Sequence, residues 1–172
     1  MDSELVFRID ASIGPAKPSF LVGDPTGWTK EALDAFIRDA RDRSQVFSWA
    51  PDHRTLAVHC TENPRLSLTI ECWEAAPPDH KTVAWQEESA TVWDRLDELS
   101  VSETGTGRWP LAPITFNWLP PGPFHVRCRV NGREHFNEFM GSDMDDDEFD
   151  DYFLRHPERY LLQIWPTDPE TD

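Results

Sequence analysis

The densest chemistry in the chain lies at Asp143-Met144-Asp145-Asp146-Asp147-Glu148-Phe149-Asp150-Asp151, seven carboxylates in nine positions with no basic residue among them. An EF-hand register would take oxygens from Asp143, Asp145, Asp147 and Asp151. That register fails at its two most restrictive positions. Glu148 stands where the turn needs Gly, and Leu154 stands where a bidentate Glu closes the loop. The run is therefore read as a block of negative charge rather than a calcium site. A basic protein surface would recognise such a block, and Asp143, Asp145, Asp146, Asp147, Glu148, Asp150 and Asp151 are its candidate partner-binding residues.

The other chemistry-bearing residues are scattered. Histidines at 53, 59, 80, 125, 135 and 156 show neither HxH nor HExxH spacing. His59 and His125 fall on the polar faces of predicted strands, where one sheet could bring them together. His125 and His135 would be the first ligands to test were a metal bound. Cys60, Cys72 and Cys128 are odd in number, lack a CxxC pair and occupy apolar strand positions, which reads as three buried free thiols. No GxSxG element, Gly-rich cysteine turn, GxGxxG or P-loop occurs. No catalytic residue, metal or cofactor is assigned, and the expectation is a protein that is not an enzyme.

Bulk charge narrows the partners. The formal net charge is −16, and residues 133–172 carry 13 acidic and 3 basic side chains, a net of −10. Phosphate backbones and anionic membranes repel such a surface, so neither nucleic acid nor membrane is an expected partner. A basic protein is attracted to it, and its association is accelerated. The acidic start Met1-Asp2-Ser3-Glu4 and the lack of long apolar runs lead to an expected cytoplasmic location. Eight Trp are more than a core of this size needs, so one or two are expected as exposed anchors, in a patch that suits a basic partner or, as a weaker alternative, a sugar.

The elements that must position these residues are mostly strands. Leu5, Phe7 and Ile9 alternate with Val6 and Arg8, a short period-2 strand signal. Leu33, Phe36, Ile37 and Ala40 recur at helical spacing and predict one covering helix over about 29–43, with Thr29 as its N-cap. Segments 55–60 and 66–73, around Asn63-Pro64, read as an antiparallel hairpin. Residues 81–93 and 96–102 add β-rich stretches. Phe124, Val126, Cys128 and Val130 form the cleanest alternation, closed by the hairpin signal Asn131-Gly132. The acidic run is expected as a short helix or loop over about 143–156, docked by Phe149, Phe153 or Leu154 and stopped before Pro157. Tyr160–Trp165 is the last strand. The predicted fold is mainly β, an antiparallel sandwich or rolled sheet of about seven strands. Residues 1–166 form one expected domain, and 167–172 an expected frayed tail.

Two stretches carry a resemblance: Trp28-Thr29-Lys30-Glu31-Ala32 at the helix start, and Leu119-Pro120-Pro121-Gly122-Pro123-Phe124 opening a strand. With the β-rich middle between them, the chain resembles the small acidic β-sandwich competence proteins of the ComJ type. The resemblance implies a β-sandwich and an inhibitor of a DNA-entry nuclease. It carries over no functional residue, and the segment 133–158 and the ending YLLQIWP match nothing in it. The resulting reading is an acidic domain that inhibits a basic nuclease or toxin. The alternative is a ligand-binding or housekeeping β-domain whose charge serves solubility.

Overall fold

The structure is a computed structural model. It describes residues 3–13, 19–23, 29–42, 45–50, 54–61, 66–79, 84–94, 98–103, 111–115, 122–140 and 145–167. Its strands are β1 (Leu5–Ile13), β2 (Ser19–Gly23), β3 (Phe47–Trp49), β4 (Thr55–His59), β5 (Leu66–Trp73), β6 (Glu87–Trp93), β7 (Glu98–Glu103), β8 (Leu111–Thr115), β9 (Phe124–Asn131) and β10 (Glu158–Pro166). The helices are α1 (Lys30–Asp42), α2 (Glu134–Met140) and α3 (Asp146–Arg155). Two five-stranded sheets result, one ordered β1-β5-β10-β9-β6 and the other β3-β4-β2-β7-β8.

The two sheets pack face to face, as the alternation in β5 and β9 requires. Leu68, Ile70, Val126, Cys128 and Leu162 from the first sheet share one buried cluster with Phe20, Val22, Leu56, Val58 and Val101 from the second. Aromatic rings bridge the layers edge to face. Phe20 and Phe47 lie 5.3 and 6.3 Å from Tyr160, and Trp49 lies 6.1 Å from Trp93. Such geometries place a positive ring edge on a negative face and add to the burial itself. Helix α1 contacts β4 with its half-buried residues Leu33, Phe36 and Ile37 facing inward by helical spacing. Its first turn is capped as predicted, with Ala32 N donating to Thr29 Oγ1 at 3.2 Å.

Three expectations are corrected. Segments 55–60 and 66–73 do not form a hairpin, because β4 belongs to the second sheet and β5 to the first. The physical distinction is burial: every residue of β4 is buried, whereas β5 alternates from Leu66 to Ile70. Asn63-Pro64 lies outside the described residues. The first sheet is also not purely antiparallel, since β10 pairs with β5 in parallel from Glu158↔Leu66 to Ile164↔Cys72. Finally, Asn131-Gly132 does not close a tight turn. β9 does pair antiparallel with β10, but the chain between them carries α2 and α3. Gly132 has φ +89°, and a Cβ there would lie 2.7 Å from the Pro157 carbonyl oxygen. The glycine serves the close approach of the two ends of this excursion.

The connection from β5 to β6 shapes the outer face of the first sheet. These strands run the same way with β10 and β9 between them, so their connection is a crossover, of which residues 74–79 and 84–86 are described. Beneath the crossing, polar side chains are buried and bonded to each other. Gln163, fully buried, donates to Glu71 at 2.9 Å and accepts from Arg127 at 2.7 Å. Arg129 pairs with Glu88 on the neighbouring strand and with Asp79 of the crossing segment at 3.0 Å.

Candidate functional site

Of the helix or loop expected for the acidic run, the backbone from Asp146 onward takes the helix, α3, rather than the loop that an EF-hand needs. Local chemistry explains the helix start. Asp145 Oδ1 accepts from Glu148 N at 3.0 Å, and Glu148 Oε2 accepts from Asp145 N at 3.3 Å, a reciprocal capping box. The Glu148 carboxylate, in the first turn, also lies toward the positive end of the helix dipole. At the other end Arg155 pairs with Asp151 one turn back at 3.4 Å. Phe153, fully buried, anchors the helix and lies 6.2 Å from Phe136 of α2.

Of the seven candidate residues, Asp145, Glu148 and Asp151 are exposed. Glu148, Asp151 and Arg155 share one side by i, i+3, i+7 spacing. Asp146, Asp147 and Asp150 lie in α3, and their side chains fall outside the described residues, as does Asp143 altogether. Leu154, next to this side, is 57% exposed, the highest value among the large hydrophobic residues described. Of the residues expected to dock the helix, Phe153 is buried and Leu154 is exposed, while the side chain of Phe149 falls outside the described residues.

A ring cluster ties α3 to α2. His135 and His156 lie 4.6 Å apart, and Tyr152 lies 6.4 Å from the first and 4.8 Å from the second. Glu138 takes hydrogen bonds from His135 and from the Tyr152 hydroxyl, each at 3.2 Å, and these hold its carboxyl below the usual range. The pairings raised from sequence do not form. His59 is in the second sheet and His125 in the first, while His125 lies at the start of β9 and His135 in α2 beyond its far end. His125 instead stacks on Trp165 at 5.3 Å, with the Arg127 guanidinium 5.2 Å from the same indole. Among the described residues no group of three His, Cys, Asp or Glu side chains is arranged to hold a metal.

Below α3 the edge of the first sheet opens a groove of about 340 Å³. Leu66 and Phe153, both buried, supply its floor, and Leu154 and Pro157 form its α3 side. Asp10, Ser12 and Ser67 line the sheet side. Nothing in the sequence marks these residues as neighbours, since β1, β5 and α3 meet only in the fold. Five of the eight tryptophans are described. Trp73 and Trp93 are buried, and Trp49, Trp85 and Trp165 are half-buried, so none of the five described is fully exposed; Trp28, Trp109 and Trp118 lie outside the described residues.

A buried carboxylate joins the two sheets nearby. Glu158, fully buried at the start of β10, accepts from the Tyr160 hydroxyl at 2.5 Å, from Thr61 Oγ1 at 2.6 Å and from Thr61 N at 3.1 Å. Arg133 Nε lies 3.3 Å from it. Burial, then the charge of Glu158, pushes the Tyr160 hydroxyl well above its ordinary pKa.

No protein-family model matches the chain, and no curated protein does. Two solved structures are similar. One is ComJ from Bacillus subtilis, an inhibitor of the DNA-degrading activity of NucA, with a TM-score of 0.51 and 10% identity over 97% of this chain and 100% of that one. The other is the product of crocagin biosynthetic gene J, with a TM-score of 0.50 and 16% identity over 98% and 100%. The segment 133–158 and the YLLQIWP ending fall inside the matched span. At these identities the likeness is one of fold, and along its length this chain is similar in fold to the ComJ type.

Proposed function

We propose that this chain is an inhibitor, not an enzyme, which binds a basic protein of the nuclease or toxin class over the surface that grips phosphate. The observation that carries the reading is the build of α3. A buried Phe153 fixes the helix, while Glu148 and Asp151 face solvent beside the exposed Leu154. Carboxylates held in place can stand at the charge positions of a nucleic-acid backbone, and an apolar neighbour lengthens residence. The fold it shares with an inhibitor of a DNA-degrading activity supports the same class of partner. The seven residues from Asp143 to Asp151 are the proposed contact set, and the three free thiols support a reducing cytoplasm as its place of work.

The test uses the whole chain against nucleases of its own cell, with DNA degradation and association rate measured across a salt series. In the neutralised variant the six aspartates become Asn and Glu148 becomes Gln, which preserves capping chemistry at 145 and 148. Electrostatic steering is worth roughly 10- to 1000-fold in on-rate at low salt. The variant should lose most of that gain, and its rate should become nearly flat with salt. Unchanged affinity and salt dependence would end the acidic-surface reading.

A further inference from the structure

We infer that the groove between α3 and the β1–β5 edge seats an arginine side chain of the protein partner. This rests on the inhibitor reading and names what that surface grips. The groove joins two features that an arginine satisfies together. Its floor is apolar, from Leu66 and Phe153, and Leu154 and Pro157 extend it along one side. The methylene stem of an arginine covers such a surface while its weakly hydrated, planar head stays at the rim.

The rim offers a carboxylate already in place. Asp10 Oδ1 accepts from Thr69 Oγ1 at 2.6 Å and from Arg8 at 3.1 Å, while Oδ2 takes an Arg8 Nε bond at 3.1 Å. Those bonds hold the Asp10 carboxyl below its ordinary pKa, so it is ionised. Each carboxylate oxygen has two acceptor positions, which leaves room on Oδ2 for a second donor. Arg8 also lies 3.5 Å from Glu71, so one guanidinium bridges two carboxyl groups on this face. Ser12 and Ser67 add hydroxyls on the same side.

Charge selects the occupant. A second copy of this chain would bring another −16 to the contact, whereas a basic protein brings the opposite sign. Size agrees. At about 340 Å³ the groove is near the small end of ligand pockets, and Leu154 leaves its lip open to solvent, which suits a side chain inserted from a protein surface.

The experiment is a backbone-amide NMR titration of the intact chain with a tetra-arginine peptide at low salt, repeated with Ser12→Trp and Leu154→Ala. Ser12 is exposed on an edge strand, so Ser12→Trp fills the groove without touching a carboxylate. The expected result is saturable shifts at Ala11, Ser12, Ser67 and Leu154, weakened at least tenfold by Ser12→Trp and about threefold by Leu154→Ala. Shifts spread over all acidic segments, or equal in the wild type and both variants, overturn the groove. The two readings fail separately. A chain that inhibits no nuclease yet binds the peptide at Ser12 and Ser67 sinks the inhibitor and leaves the groove standing. A chain whose inhibition survives Ser12→Trp unchanged sinks the groove alone.

Discussion

Replacing Glu158 by Ala tests the internal logic of the fold most directly. The carboxylate is fully buried and is the acceptor for the Tyr160 hydroxyl, the Thr61 hydroxyl and the Thr61 amide, with Arg133 at 3.3 Å. Tyr160 is itself 1% exposed, so its hydroxyl would lose its acceptor in a dry site; that loss costs about 1–3 kcal/mol. Thr61 is half-buried and recovers part of its bonding from water, which limits its share to about 1 kcal/mol. Arg133 keeps some exposure and contributes less than a fully buried partner would. The sum, about 4 kcal/mol, agrees with the ~3–5 kcal/mol seen when one partner of a buried ion pair is removed. Against a total stability of roughly 5–15 kcal/mol this is a large loss, and at ~2–4 °C per kcal/mol it lowers Tm by about 8–16 °C. Glu158→Gln keeps an oxygen for Thr61, and the Tyr160 hydroxyl can turn to accept from the new amide, so its cost should be about 1–2 kcal/mol. Urea unfolding followed by tryptophan fluorescence reads both. A loss below about 1 kcal/mol for Ala, or a Gln variant more stable than the wild type, would show the buried carboxylate to be a net liability and refute the reasoning.

The remaining predictions concern pH and backbone. Burial pushes the thiols of Cys60 and Cys72 up to about 12 from an ordinary 9.0, and raises Cys128 and Tyr160 as well. Each group holds its proton more tightly when folded, so stability is full below pH 9 and falls as pH rises toward 12. The slope approaches about 1.4 kcal/mol per pH unit for each thiol, and denaturant midpoints that stay flat from pH 9 to 11 would contradict it. Gly132→Ala should cost about 2 kcal/mol or more, because φ is +89° and the added Cβ meets the Pro157 carbonyl; thermal melts decide it. Asp145→Ala should cost about 1 kcal/mol by removing the cap of α3, while Asp145→Asn, which caps as well, stays close to wild type. Equal losses in the two would mean that charge, not capping, is what position 145 supplies.

What the sequence disclosed follows from the range of the interactions involved. Alternation in Phe124–Val130 and the Thr29 cap depend on neighbours a few residues away, and both stand in the structure as read. Strand β2 escaped notice because Ser19–Gly23 is buried on both faces and shows no alternation at all. The false hairpin has a related cause, since a turn signal reports a reversal of the chain but not the sheet each arm joins. Among the candidate residues, the sequence located the exposed carboxylates of α3. It was silent on the groove beside them, and on the buried set of Glu71, Gln163, Arg129 and Glu158. Glu158 and Thr61 are 97 residues apart, and Glu71 and Gln163 are 92 apart, so no local pattern announces them.

The position of β10 bears on how the molecule comes into being. It is the latest strand of the first sheet along the chain, yet it lies at the centre of that sheet, hydrogen-bonded to β5 on one side and β9 on the other. During synthesis β1, β5, β6 and β9 leave the ribosome first with a gap between β5 and β9 where two strand edges stay unpaired. Open edges of this kind invite pairing with other chains, and the long-range closure that fills them is intrinsically slow. Assembly must therefore wait for residues 158–166, and a chain cut short of Glu158 would be an aggregation hazard rather than a smaller functional unit.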